Sequence, residues 1–203
     1  MARYAAEHYG TKVTGITISR EQLSRAKEYC KGLPVTIKLL DYRELDGRYN
    51  KIASVGMFEH VGPKNYSIYF DTADRLLEDD GLFLLHTIGA YRTSDYCDPW
   101  IDQYIFPNGH LPSARQLADA LENRFLIEDW HNFGPDYDRT LMAWWDNFNS
   151  SWSSPQQRYD KRFYRMWKYY LLSCAGMFRA KQGQLWQLVL GKRQGDRIYR
   201  SVR

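Results

Sequence analysis

Ser54-Val55-Gly56-Met57-Phe58-Glu59-His60-Val61-Gly62-Pro63 is the stretch on which the fold of this chain turns. With Ile52 and Ala53 ahead of it, it forms an apolar run, Ile52 to Phe58, that reads as a buried strand. The run ends on a carboxylate and an imidazole, Glu59-His60, followed by a turn at Gly62-Pro63. Titratable groups at the carboxyl end of a buried strand stand where open α/β sheets bind ligands.

Upstream, residues 2–9 read as helix turns stopped by Gly10. Val13 to Ile18 alternates β-branched residues and predicts a strand. Ser19 is a good N-cap for a helix over Arg20 to Lys31, with Gln22 in its first turn and Gly32 past its end. Val35 to Leu40 is a second strand ending at Asp41-Tyr42, and Lys51 to Phe58 a third. Downstream come a helix over Tyr66 to Leu77, a turn at Asp79-Asp80-Gly81 and a strand over Leu82 to Ile88. Strands alternating with helices imply parallel βαβ units and an α/β fold. The pattern then changes. Residues 90–112 are rich in loop signals, Ser113 caps a helix to about Glu122, and Phe125 to Phe133 is a strand. Thr140 to Ser150 is a helix, Gln156 to Phe178 a long aromatic helical stretch, and Leu185 to Leu190 a closing strand. A single domain follows, with its core at 11–89, 125–133 and 185–191. Segments 90–124 and 134–180 form a cover over the strand ends.

The 203 residues suit one domain, and no stretch nears the ~18 apolar residues of a membrane span. Met1-Ala2-Arg3-Tyr4 runs into a charged helix without the apolar segment of a leader. Cys30, Cys97 and Cys174 form no CxxC pair, which argues against a disulfide framework or a metal site and suits a reducing cytosol. The net charge of +4 is uneven: residues 158–203 carry 12 Lys or Arg against Asp160 and Asp196, so a basic end follows an acidic body. Such an end suits a solvated tail or an anionic surface. With seven Trp and sixteen Tyr, concentrated after residue 130, the chain also suits a membrane interface or a lipid cavity.

The strand ends Thr17-Ile18, Asp41-Tyr42 and Glu59-His60 are expected on one edge of one parallel sheet, where an acid takes ribose hydroxyls and an apolar side chain covers a base. Glu59 and His86, at the ends of neighbouring strands, can converge. A shielded carboxylate–imidazole pair serves proton transfer, anion orientation or a plain structural hydrogen bond. His60 points to the other side by alternation and reads as structural. Tyr137 lies in the cover. Cys174 sits among small residues in Leu171-Leu172-Ser173-Cys174-Ala175-Gly176, where a lone thiol is usually inert core.

The run Ser54 to Tyr66 resembles the bacterial cyclopropane-fatty-acyl-phospholipid synthases. So do Leu84-Leu85-His86-Thr87-Ile88-Gly89, Tyr104 to Gly109, Glu128 to Gly134, and Thr140-Leu141-Met142-Ala143-Trp144. The resemblance runs from about residue 2 to the C-terminus. It implies a Rossmann-like S-adenosylmethionine-dependent methyltransferase with a helical, aromatic, lipid-binding cover. That enzyme class adds a methylene across a cis double bond of an acyl chain held in a membrane phospholipid. By the same resemblance, Thr17, Ile18, Ser19, Gln22, Asp41 and Tyr42 contact the cofactor. Glu59, His86, Ile88 and Tyr137 hold a bicarbonate ion that accepts the proton, and Cys174 is the family's active cysteine. The chemistry suits these residue types: an alkylating cation would damage a side-chain base, whereas a bound anion is exchangeable. Lys161, Arg162, Arg165 and Lys168, interleaved with aromatic rings, would then meet anionic head groups. No metal and no nucleic acid is expected, and the implied location is cytoplasmic, peripheral on the inner face of the cell membrane.

The family's Gly-rich turn, of the type G-C-G-W-G, belongs before the first helix and does not occur in these residues. The expectation is therefore a sheet lacking its first strand, from a truncated or split gene. The partners then include a separate N-terminal fragment and a second copy in a homodimer. Two readings stay open: a working synthase, and an inactive fragment that keeps only lipid or membrane binding. A third is methyl transfer to another acceptor.

Overall fold

The computed structural model describes residues 1–94, 96–152 and 159–201. They fall into two compact units, Met1–Arg48 and Tyr49–Arg203.

The first unit is a βαβ motif preceded by a helix: α1 (Ala2–Tyr9), β1 (Val13–Thr17), α2 (Arg20–Tyr29) and β2 (Val35–Leu39). Gly10 stops α1 in the left-handed region at φ 62°, returning its N–H to the Ala6 carbonyl at 3.2 Å. Ser19 caps α2 by accepting the Gln22 N–H at 3.2 Å. The strands pair in parallel, Val13 opposite Val35 through Thr17 opposite Leu39. Only Ala6 and Cys30 are fully buried in this unit, so its core is thin.

The second unit runs β3 (Tyr49–Val55), α3 (Tyr66–Leu76), β4 (Leu77–Ala90), α4 (Pro99–Tyr104), α5 (Ala114–Leu121), β5 (Leu126–Asn132), α6 (Gly134–Ser151), α7 (Lys161–Arg179) and β6 (Gly183–Gly191). The sheet order is β3-β4-β6-β5, with β3 and β4 parallel and β6 antiparallel to both its neighbours. Alternation along β4 buries Phe83, Leu85 and Thr87. Phe83 meets Phe70 of α3 at 6.4 Å and Phe125 at 5.9 Å, and Phe58 meets Phe70 at 5.5 Å. Each such ring contributes about 1.5–3 kcal/mol of transfer free energy. A second cluster, Leu141, Leu171, Ala175, Phe178 and Leu185, joins α6 and α7 to the sheet.

Several expectations change. The strand ends are not all on one sheet, because hydrogen bonding makes a two-stranded and a four-stranded sheet. Among the described residues β1 pairs with β2 in the first unit, and β3 pairs with β4 in the second. β3 ends at Val55 rather than Phe58, and Val55 is 51% exposed. Gly56, at φ 61°, turns the chain while its N–H still reaches the His86 carbonyl at 3.0 Å. Glu59 therefore rides on a one-turn 3-10 helix, Phe58–His60, not on a strand.

Asp79 and Asp80 belong to β4, inside a bulge that shifts the register between Tyr49–Leu77 and Lys51–Leu82. α4, within the stretch read as loop, forms because Asp98 accepts the N–H groups of Trp100 and Ile101 at 3.0 Å. α6 starts at Gly134-Pro135, six residues before the expected Thr140, since proline suits a first helical turn. α7 starts at Lys161, capped by Asp160; the expected start at Gln156 lies outside the described residues.

Candidate active site

In the first unit, the carboxyl ends of β1 and β2 meet, the Leu40 N–H donating to the Thr17 carbonyl at 3.0 Å. The Thr17 hydroxyl donates to Gln22 Oε1 at 2.7 Å and accepts the Ser19 N–H at 3.1 Å, so the cap of α2 and the end of β1 are one rigid corner. Beside it Ile18 is 81% exposed, an unusual place for a large aliphatic side chain. Asp41 accepts from the Arg43 guanidinium at 2.9 and 2.7 Å and from the Arg43 backbone N–H at 2.9 Å. Arg43 thus holds the Asp41 carboxyl below the usual range, whereas burial pushes the Tyr42 phenol up. An exposed apolar side chain and a fixed carboxylate at the same strand edge fit the two demands of a nucleoside: cover for the base and an acceptor for ribose hydroxyls.

The second unit holds the anion-orienting candidates. The parallel register sets Val55 opposite His86, which brings the turn after β3 alongside the end of β4. Glu59, only 9% exposed, accepts the Ile88 backbone N–H on Oε1 at 2.7 Å. Its Oε2 is buried and finds no hydrogen-bond partner among the described residues. A buried carboxylate oxygen without a donor is costly, so this atom marks a place for one.

His86 accepts the Gln187 amide N–H on Nδ1 at 3.0 Å, which leaves the ring proton on Nε2 as a donor. Burial lowers the His86 pKa, and the Glu59 charge opposes that shift. Tyr137 is half-buried in the first turn of α6, edge-on to Phe178 at 5.1 Å and Trp144 at 5.9 Å. Burial, then Glu59, then Cys174, raise its pKa, so its phenol stays a donor. Both His86 and Tyr137 thus sense the charge of Glu59. Ile88, Tyr137 and Cys174 also pack on one hydrophobic cluster.

Cys174 is half-buried, and its thiol is pushed up to about 11, chiefly by burial. At neutral pH it is a thiol and not a nucleophilic thiolate. The His60 ring stands 6.1 Å from that of Phe106, edge-on. Among the described residues no group of three or more His, Cys, Asp or Glu is gathered as a metal would need.

Two residues escaped the sequence reading. Gln187 of β6 fixes the His86 tautomer; alternation along the closing strand was its only signal. His110 is buried and ties the segment after β4 to the site. Its backbone N–H donates to the Glu59 carbonyl at 2.8 Å, Nε2 donates to the Ser94 carbonyl at 2.6 Å, and Nδ1 meets the Tyr66 hydroxyl at 3.1 Å. It directly follows the motif that ends at Gly109.

Comparison with known proteins shows the family and the fold. The family described as mycolic acid cyclopropane synthetase matches residues 1–188, and the chain belongs to that family. The chain is 54% identical over 202 residues to the cyclopropane-fatty-acyl-phospholipid synthase of Escherichia coli K12, covering 98% of this chain and 53% of that protein. A probable fatty acid methyltransferase of Pseudomonas putida is 32% identical, over 97% of this chain and 53% of its own length. The chain thus spans about half the length of these relatives. Among solved structures, the cyclopropane synthase MmaA2 from Mycobacterium tuberculosis superimposes with a TM-score of 0.85 at 24% identity, covering 94% of this chain and 73% of that one. The mycolic acid cyclopropane synthase CmaA1, complexed with SAH and CTAB, gives 0.84 at 27% identity, covering 93% and 73%. The fold is the Rossmann-like α/β fold of S-adenosylmethionine-dependent methyltransferases.

Proposed function

We propose that this chain carries the catalytic portion of a cyclopropane-fatty-acyl-phospholipid synthase, which transfers a methylene from S-adenosylmethionine to a cis double bond of an unsaturated phospholipid acyl chain with bicarbonate as proton acceptor. The observation that carries this reading is the orphaned, buried Oε2 of Glu59, on a carboxylate whose charge is felt by both His86 and Tyr137. An anion that also bears a hydroxyl fits there: its O–H satisfies Glu59 while its other oxygens take the N–H of His86 and the O–H of Tyr137. The Ile88 N–H is occupied by Glu59 and acts by holding that carboxylate in place. When bound, S-adenosylmethionine supplies the one-carbon unit and bicarbonate takes up the proton that unit loses.

The chain's own residues bind, orient and shield. Glu59, His86 and Tyr137 fix the ion. The rings of Tyr137, Phe178 and Trp144 form a wall whose faces tolerate positive charge on an acyl chain. Because the proton acceptor is an exchangeable ion, no side chain has to serve as the base that takes the proton. Cys174, kept as a thiol, shapes the wall. In the first unit, Thr17, Ile18, Ser19, Gln22, Asp41 and Tyr42 hold the nucleoside of the cofactor. Among the described residues no helix is long and apolar enough to cross a membrane. The substrate is met at a membrane surface, which we assign to the cytoplasmic face of the cell membrane.

A second reading, an inactive fragment that binds lipid, is favoured by β1 and β3. Each hydrogen-bonds to a strand on one side only among the described residues, and such edges invite aggregation or a further strand. Calorimetric titration with S-adenosylmethionine, paired with mass analysis of phospholipids from a host lacking cyclopropane lipids, separates the two. Binding heat together with lipids heavier by one CH2 and resistant to hydrogenation supports the synthase. Lipid binding with neither result supports the fragment. Cofactor binding with a methylated product that hydrogenates supports another methyltransferase.

A further inference from the structure

α7 carries Lys161, Arg162, Arg165, Lys168 and Arg179 and not one acidic residue. Its cations do not form a single patch. Lys168 stands over the Trp145 ring of α6 at 5.4 Å, and Arg179 is paired with Asp138 at 2.9 Å. Arg162 and Arg165 instead line a wide-open surface cavity of about 410 Å3 together with Trp100, Tyr104, Met166 and Tyr169. Trp100 of α4 packs edge-on against Tyr169 of α7 at 4.5 Å and tilts against Tyr104 at 5.5 Å, which gives the cavity an aromatic wall. The acids on the flanking elements accept from backbone N–H groups: Asp98 caps α4, Asp102 accepts the Asn108 N–H at 2.7 Å, and Asp160 caps α7 by accepting the Phe163 N–H at 2.8 Å. Neither cavity arginine forms an ion pair among the described residues.

We propose that this cavity is a headgroup site, in which Arg162 and Arg165 clamp the phosphodiester of an anionic phospholipid while Trp100, Tyr104 and Tyr169 receive the glycerol and upper acyl carbons. Guanidinium is the side chain suited to a bidentate grip on phosphate oxygens. Tyrosine and tryptophan are the rings that sit where an apolar region meets a polar one. Charge complementarity selects an anionic lipid over a zwitterionic one. The inference deepens the lipid-substrate reading and rests on it, but it is read without turnover.

The test is co-sedimentation of the full chain with phosphatidylglycerol or phosphatidylcholine vesicles at fixed salt. Removing two cations at about 5-fold each should lower partition onto phosphatidylglycerol about 25-fold in R162A/R165A, to the level seen with phosphatidylcholine. The charge-matched K161A/K168A should lose far less. R162K/R165K should fall between them, because it keeps the charge and loses the fork. Equal losses in the two alanine pairs would mean a diffuse field and overturn the clamp, as would unchanged binding in R162A/R165A. Displacement of the chain from vesicles by a single-stranded oligonucleotide at equal phosphate would overturn it in favour of a nucleic-acid surface. Circular dichroism of each variant checks that α7 is intact, and the lysine pair keeps the comparison decisive should the alanine pair unfold. Loss of methyl transfer with normal partition would count against the catalytic reading alone.

Discussion

Glu59 and Ile88, 29 positions apart, are joined by a hydrogen bond of 2.7 Å from the Ile88 backbone N–H to one carboxylate oxygen, and the other oxygen is left buried without a donor. Half of the carboxylate is thus structural and half is available for chemistry. Glu59→Gln keeps an acceptor for Ile88 and removes the charge. The expected outcome is a fold that melts within a few degrees of the parent, with product formation reduced about 100-fold or more and no longer responsive to added bicarbonate. Lipid mass analysis across a bicarbonate series checks it.

His86 makes stability depend on pH. Its folded pKa lies below the ordinary value of about 6.5 because burial disfavours the charged ring, against the pull of Glu59. A depressed histidine contributes stability that is complete above the unfolded value and is lost as pH falls towards the folded one. Urea unfolding should therefore show stability declining as pH falls through about 6.5, a slope that His86→Gln flattens. A His86→Gln protein with the same slope would reassign the effect to other groups.

Cys174, with its thiol pushed up to about 11, should react with iodoacetamide about 100-fold more slowly at pH 8 than an unperturbed cysteine of pKa about 8.5. Cys174→Ala should keep most of the activity, since the residue shapes a wall and attacks nothing. Peptide mass spectrometry of the alkylated protein gives the rate, and an activity lost entirely in Cys174→Ala would restore a chemical role.

Gly89 lies beneath the Trp186 indole, which a Cβ at that position would overlap. Trp186 is itself held by a hydrogen bond from Nε1 to Gln184 at 2.8 Å and by an edge contact with Trp130 at 5.2 Å. It has little room to yield, so Gly89→Ala should cost about 1–3 kcal/mol as overpacking. Thermal melts give the cost, and near-ultraviolet circular dichroism shows whether the indole has moved.

Much of this was legible in the residues. Gly10, Ser19 and Ser113 mark helix ends through short-range chemistry that needs no tertiary partner. Glu59 and His86 are expected to converge because parallel strands align their carboxyl ends; the register sets Val55, not Glu59, opposite His86, and Glu59 reaches β4 through the Ile88 N–H. The start of α6 was missed because Pro135 reads equally as a turn and as a first helical turn. α4 was missed because a six-residue helix has no periodicity to detect, only the cap at Asp98.

The order of apolar and polar residues along the chain was enough to specify the elements, their α/β character and the candidate groups, since periodicity, caps and turns act over a few neighbouring residues. Folding in three dimensions settled the rest: the division into two sheets, the one-turn helix under Glu59, the tautomer imposed on His86 by Gln187, the burial that keeps Cys174 protonated, and the parting of Arg162 and Arg165 from Lys168. Each of these depends on desolvation or on a hydrogen bond between residues far apart in the chain, and local patterning carries no record of such distances.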